Sequence, residues 1–284
     1  MVSQDVVETA EKIRDMEIRG AGKIGRSAAM ALKGCAETSK AKTAAKLLEE
    51  LNDAGDLLIS ARPSAVSLPN AVRFVFNKLN SDDISDLKSL RKTAVEAADE
   101  FVENSNKALA MIGEIGARRI GDGDTILTHC NSSAAISIIK SAWGQGKDIR
   151  VFATEARPRY QGHITVKELA EEGIPTTLIV DSAVRTFMKE IDKVIVGADS
   201  IASNGAVVNK IGTSQIALAA QEARVLFLVA AETYKFHPET LVGELVEIEE
   251  RSSDEVADPE EFVGVTIRNP AFDVTPPEYV DLII

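Results

Sequence analysis

Cysteine is scarce: the 284 residues contain two, Cys35 and Cys130. Two thiols without CxxC spacing make no disulfide framework, and they suit a reducing compartment. Metal-binding patterns are missing as well. His129, His163 and His237 share no ligand spacing, and there is no HExxH, Asp-rich loop, GxSxG or P-loop, so neither a metal nor a cofactor is expected. No apolar run approaches the roughly 18 residues of a membrane span. Asp5, Glu8 and Glu11 interrupt the opening, which predicts no signal peptide, no membrane anchor and a cytoplasmic protein. Positive charge is in deficit, with 32 Lys+Arg against 44 Asp+Glu and a net charge of −12. That balance opposes binding along a nucleic-acid backbone.

What is present is the composition of a globular protein, 45% apolar and 27% charged, long enough for one large domain or two smaller ones. The charge is uneven. Residues 239–284 hold 13 acidic and 2 basic side chains, and residues 1–238 are within one unit of neutral. The acidic stretch Glu247, Glu249, Glu250, Asp254, Glu255, Asp258, Glu260 and Glu261 reads most simply as solvated surface.

Residues 2 to about 115 read as helical, including Glu11–Arg19, Ser39–Glu50, Thr43–Asp53 and Asp86–Ile115, where Ala, Leu, Lys and Glu carry apolar positions three or four apart. Beyond the turn signal Asp122-Gly123-Asp124, short apolar runs alternate with helical patterns: Thr125–Thr128, Ile149–Ala153, Thr176–Val180, Lys193–Val196 and Val225–Val229. Strands alternating with helices imply a parallel sheet with right-handed crossovers. The expected fold is therefore α/β: an all-helical N-terminal domain, 1–115, and a Rossmann-like domain, 116–284. No internal repeat or low-complexity segment interrupts it.

Gly20-Ala21-Gly22-Lys23-Ile24-Gly25 matches GxGxxG, but no strand precedes it and no acidic residue closes a following strand, so dinucleotide binding is refused. A tight helix–helix turn and a phosphate cradle formed by backbone N–H groups, Arg19 and Lys23 both remain open. The second half is more informative. His129-Cys130-Asn131-Ser132-Ser133 follows a strand and opens a helix, the place where open α/β sheets bind ligands. A thiol there is either a buried structural cysteine or a base whose pKa the helix terminus lowers from about 8.5. Thr154–Gly162 supplies Arg157, Arg159 and Gln161 after the next strand. Asp199, a turn carboxylate or a functional one, follows Gly197-Ala198. Asn209-Lys210-Ile211-Gly212-Thr213 is expected to open a helix, and Glu232–Lys235 closes the last strand. Four strands thus deliver a thiol, a carboxylate and several cations to one rim.

These residues resemble the family that includes the translation initiation factor 2B regulatory subunits, methylthioribose-1-phosphate isomerase and archaeal ribose-1,5-bisphosphate isomerase. The likeness runs from Thr128-His129-Cys130-Asn131 through Ala156-Arg157-Pro158-Arg159, Gln161-Gly162, Val196-Gly197-Ala198-Asp199, Asn209-Lys210 and Lys235-Phe236. It ends on Arg268-Asn269-Pro270-Ala271-Phe272-Asp273-Val274-Thr275-Pro276-Pro277. In the isomerase branches a cysteine and an aspartate form the catalytic pair, and they match Cys130 and Asp199. The translation-factor subunits generally lack that pair, which leaves a noncatalytic regulatory subunit as the alternative of a different class.

Arg19-Gly20-Ala21-Gly22 is similar to the ribose-1,5-bisphosphate branch; the methylthioribose branch usually has Ala-Pro after Arg-Gly, and Asn-Ala-Gly where this chain has Asn131-Ser132-Ser133. The resemblance implies substrate binding by Arg19, Gly20, Ala21, Gly22, Arg62 in Ala61-Arg62-Pro63-Ser64, Ser132, Ser133, Ala134, Asn209, Lys210 and Lys235. Gln161 matches a binding glutamine of the methylthioribose branch. It further implies conversion of ribose 1,5-bisphosphate to ribulose 1,5-bisphosphate in nucleoside or AMP salvage, and a homo-oligomer, dimer or hexamer. Two phosphates call for two cationic cradles. One falls in the α/β part and the other in the helical part, which places the expected site between domains.

Overall fold

The computed structural model describes residues 3–63, 65–81, 86–237, 240 and 248–284. Ser64 of the Ala61–Ser64 motif, and Glu239 and Glu247 of the acidic segment, lie outside these residues. The chain divides into two compact units, Met1–Ala108 and Leu109–Ile284, with the division inside one long helix.

The first unit is helical because its apolar residues recur at helical spacing. Helix α1 (Gln4–Arg14) buries Val6, Ala10 and Ile13, and α2 (Ala21–Thr38) buries Ile24, Ala28, Leu32 and Cys35. Then come α3 (Ala44–Ala61), α4 (Ser67–Ser81) and α5 (Leu87–Ala117). Helix is less continuous than the composition predicts: 15–20 and 39–43 are connections. Gly20 takes φ 87, a left-handed conformation that favours glycine, and α2 starts directly after it. Thr43 ends the second connection by accepting the Lys46 N–H at 3.2 Å, capping α3.

The second unit holds a six-stranded, all-parallel sheet in the order β3-β2-β1-β4-β7-β9. Its strands are β1 (Thr125–Thr128), β2 (Arg150–Thr154), β3 (Thr176–Ile179), β4 (Lys193–Gly197), β7 (Leu226–Ala230) and β9 (Leu282–Ile283). The crossovers are α6 (Ser133–Gly144), α7 (Gly162–Glu171), the short α8 (Val184–Phe187) and α9 (Thr213–Ala223). Period-two alternation fills both faces. Ile126, Val151, Ile195 and Leu228 pack with α6 and the end of α5, while Leu127, Val194, Val196, Phe227 and Val229 pack with α8 and α9. Both faces being buried explains why these strands read as unbroken apolar runs. Each such side chain contributes about 1.5–3 kcal/mol.

A second sheet is antiparallel, β5 (Ser200–Ile201), β6 (Val207–Lys210) and β8 (Phe272–Thr275), in the order β5-β6-β8. It corrects one expectation: Asn209 and Lys210 do not open a helix but end strand β6, and α9 starts at Thr213. The pairing that makes them a strand comes from Asp273 and Phe272, far along the chain. Among the described residues no helix is long and apolar enough to cross a membrane.

Candidate active site

In the order β3-β2-β1-β4-β7 the chain winds outward from β1 in one direction and from β4 in the other. Open α/β sheets bind ligands where the winding reverses, which here is beyond the carboxyl ends of β1 and β4. Cys130 follows β1 and Asp199 follows β4, so topology alone brings the thiol and the carboxylate to one switch point.

The turn after β1 is held from below. His129 is buried, and its Nε2 lies 2.9 Å from the Ile211 carbonyl. A carbonyl only accepts, so Nε2 carries the proton and Nδ1 accepts from the Thr154 hydroxyl. Burial pushes this imidazole below its usual range, leaving it neutral. Cys130 takes φ 66, a conformation that costs a non-glycine residue roughly 1–3 kcal/mol. Thr165 of α7 holds it there, donating to the Cys130 carbonyl at 2.7 Å while Asn131 Nδ2 donates to the Thr165 hydroxyl at 3.1 Å.

Ser132 caps α6 by accepting the Ala135 N–H at 3.3 Å; Ser133 is exposed and Ala134 buried. Ser132 sits directly against Gly197, where a Cβ would overlap its Oγ and Cβ. Gly197→Ala is therefore expected to cost about 1–3 kcal/mol of stability by overpacking and to displace Ser132. Denaturant unfolding measures the first effect; an unchanged midpoint would contradict it.

The cations arrive from β6 and from the segment after β7. Lys210 is buried, donates to the Ala271 carbonyl at 3.0 Å and lies 5.1 Å from the centre of the Phe272 ring. Burial lowers its ammonium, opposed by the nearby Cys130 and Asp199. Asn209 is buried and donates to the Thr213 hydroxyl at 3.1 Å. Lys235 is also buried, paired at 2.8 Å with Glu232, itself buried and bonded by the Tyr234 hydroxyl at 2.9 Å. Burial works against the charge on Glu232, but Lys235, a backbone N–H and the Tyr234 hydroxyl together hold the carboxyl below the usual range. Gln161 stands at the start of α7, and its Oε1 is buried without a hydrogen-bond partner among the described residues.

Of the two readings open for the thiol, the electrostatics favour the buried cysteine over the acidic one. Burial pushes Cys130 up to about 11. The Lys210 ammonium, the Asn131 backbone N–H and the Arg251 guanidinium oppose the rise, and the Asp199 carboxylate adds to it. Position at a helix terminus is not enough when water is excluded, because desolvation penalises the thiolate more than the nearby cations favour it.

Arg19, Gly20, Ala21, Gly22 and Arg62 belong to the first unit. Arg19 and Gly20 are exposed, Ala21 and Gly22 start α2, and Arg62, half-buried, ends α3. The other expected residues lie around the carboxyl edge of the second unit's sheet.

Three contributors escaped the sequence reading. Asp181 accepts the backbone N–H groups of Ala156 and Arg157, both at 2.8 Å, and so fixes the loop after β2. Asp273 accepts from the N–H groups of Gly212 at 2.7 Å and Ser214 at 3.1 Å, tying β8 to the start of α9. Burial nevertheless pushes its carboxyl up to about 6. Arg251 is the third, in a segment read as solvated surface. That reading holds for Asp254, Asp258, Glu260 and Glu261, which are exposed, but not for Glu249 and Glu255. Glu249 pairs with Arg251 Nε at 2.9 Å and Glu255 with Arg159 Nε at 3.0 Å. An isolated basic residue in an acidic run was the available signal for Arg251.

Residues 17–284 match the initiation factor 2 subunit family. The chain is 59% identical over 286 residues to ribose 1,5-bisphosphate isomerase of Methanocaldococcus jannaschii, covering 100% of this chain and 91% of that protein. It is 58% identical over 290 residues to ribose 1,5-bisphosphate isomerase of Pyrococcus furiosus, covering 100% and 90%. Among solved structures, translation initiation factor eIF-2B of Pyrococcus horikoshii superposes with a TM-score of 0.86 at 34% identity, covering 100% of this chain and 95% of that one.

Proposed function

The chain belongs to the initiation factor 2 subunit family and is a sugar-phosphate isomerase, and from that premise we propose that it converts ribose 1,5-bisphosphate to ribulose 1,5-bisphosphate. The observation that carries the reading is the meeting of Cys130 and Asp199 at the reversal of strand order, with the buried ammonium of Lys210 beside them. One phosphate is held by Lys210, Lys235, Asn209 and the N-terminus of α6 at Ser132–Ala134. Arg19, the Gly20–Gly22 backbone and Arg62 hold the other. Gln161 Oε1, without a hydrogen-bond partner among the described residues, accepts from a sugar hydroxyl.

A phosphate on C1 locks the aldose ring, since ordinary hemiacetal opening is unavailable. Asp199 in its protonated form gives a proton to the ring oxygen as the C1–O bond breaks. Cys130 as thiolate removes the proton on C2, leaving an enol that bears the C1 phosphate. Cys130 then returns a proton to C1 while Asp199 takes the C2 hydroxyl proton, which yields the ketose and restores both groups. With a pKa of about 11 the thiol holds its proton in the resting protein, so the sequence starts only after the pair's one proton has passed to Asp199. Moving it from Cys130 to Asp199 removes the carboxylate charge that opposes the thiolate, as in other coupled acid–base pairs.

The same reading makes the protein a cytoplasmic homo-oligomer acting in nucleoside or AMP salvage, with its product passing to a Rubisco. Turnover of two sugars tests the substrate: ribose 1,5-bisphosphate is expected to be isomerised and methylthioribose 1-phosphate to react at least about 10²-fold more slowly, because the second cradle then lacks its phosphate. Preference for methylthioribose 1-phosphate would move the protein to the other isomerase branch. Turnover of neither would leave a regulatory role.

A further inference from the structure

The acidic segment does more than cover surface. Residues 249–256 form a strap tied down at both ends. Arg159 Nε pairs with Glu255 at 3.0 Å, and Arg157 donates to the Val256 carbonyl at 3.0 Å. Asn269 Nδ2 donates to the Ser252 carbonyl at 2.7 Å, and the Arg251 N–H to the Asn269 carbonyl at 2.9 Å. Arg157 and Arg159, whose roles the shared motif leaves open, thus act as latches.

The strap turns one side chain inward. Arg251 is about a tenth exposed, and its guanidinium lies 6.0 Å from the centre of the Phe272 ring. Lys210, paired with Phe272 in register across β6 and β8, has its ammonium 5.1 Å from the same ring. The next residue, Ile211, gives its carbonyl to His129, the neighbour of Cys130. Two cations therefore share one aromatic ring on the path from the strap to the thiol. A buried ammonium such as that of Lys210 is costly unless an anion forms nearby, whereas Arg251 already has Glu249.

We propose that Arg251 is a positioning residue of the isomerisation: delivered to Phe272 by the strap, it holds, together with Lys210, the negative charge that Cys130 takes on when it gives up its proton. The inference rests on Cys130 as the base. Glu249, 2.9 Å from Arg251 Nε, offsets part of that positive charge. Removing Arg251 and removing Glu249 must then act in opposite directions, a signature that loss of a merely structural contact does not produce.

The test is alkylation of Cys130 by iodoacetamide in the full-length protein between pH 7.5 and 10. Peptide mass separates this modification from the buried Cys35. Arg251→Met is expected to slow alkylation about 3- to 10-fold at a given pH, with most of the rate returning in Arg251→Lys. Glu249→Gln is expected to speed it. Equal rates in wild type and Arg251→Met overturn the proposal; should Arg251→Met fail to fold, a Glu249→Gln protein alkylated no faster than wild type does the same. Alkylation uses no sugar phosphate, so a wild-type protein inert toward ribose 1,5-bisphosphate refutes the proposed substrate and leaves this result standing on its own.

Discussion

Cys130→Ser is expected to lower turnover of ribose 1,5-bisphosphate by about 10²–10⁴ or more while leaving substrate affinity largely unchanged. Serine keeps the size of the side chain, and the contacts that hold residue 130 at φ 66 run through its carbonyl and through Asn131 rather than through sulfur. The anchors of the turn stay in place: buried His129, the Thr154 hydroxyl and the Ile211 carbonyl. What disappears is a group able to carry negative charge beside Lys210, because a hydroxyl is far less acidic than a thiol. Parallel measurement of kcat and of the dissociation constant for the bisphosphate separates the two effects. Near-normal kcat in Cys130→Ser would sink the mechanism, whereas a lost kcat with a matching loss of affinity would make Cys130 a binding residue only.

The second large effect is expected for Asp199→Asn, again about 10²–10⁴ in kcat. The amide cannot give a proton to the ring oxygen or take one from the C2 hydroxyl. The local fold should persist, since the Asp199 backbone N–H donates to the Val208 carbonyl at 2.9 Å and the neighbouring Ser200 pairs with Val208 across β5 and β6. A second readout moves the other way. The Asp199 carboxylate raises the Cys130 thiol, so Asp199→Asn should be alkylated at Cys130 faster than wild type at the same pH while turning over far more slowly. Retained turnover contradicts the donor role; slower alkylation contradicts the electrostatic coupling.

The rim was legible because the parallel strands advertise themselves. Ile126 and Leu127, or Val194 and Ile195, point to opposite faces that are both buried, which leaves an apolar run of four or five residues ending in a polar turn. Once the sheet is parallel, Cys130, Gln161, Asp199 and Lys235 must fall on one edge. The antiparallel sheet was not legible: β6 is a strand only because Phe272–Thr275 returns to pair with it, and no local pattern carries that information. The choice between a buried and an acidic thiol was not legible for a related reason. A helix N-terminus is visible in sequence, but the burial of Cys130 and the charges of Lys210, Asp199 and Arg251 that act on it come with the folded chain, from distant segments. Arg251 itself was masked by the acidic residues around it, whose partners Arg159 and Asn269 are known only from the folded chain.

The central claim is proton transfer on a sugar bisphosphate by Cys130 and Asp199. Incubating the purified protein with ribose 1,5-bisphosphate carrying deuterium at C2 tests it most directly, with the product's isotope content read by mass spectrometry or NMR. The account predicts ribulose 1,5-bisphosphate with part of the deuterium lost to water, since a proton held on the Cys130 sulfur exchanges with solvent. Absence of ribulose 1,5-bisphosphate, or product that retains all of the deuterium as direct hydride transfer from C2 to C1 requires, would contradict it.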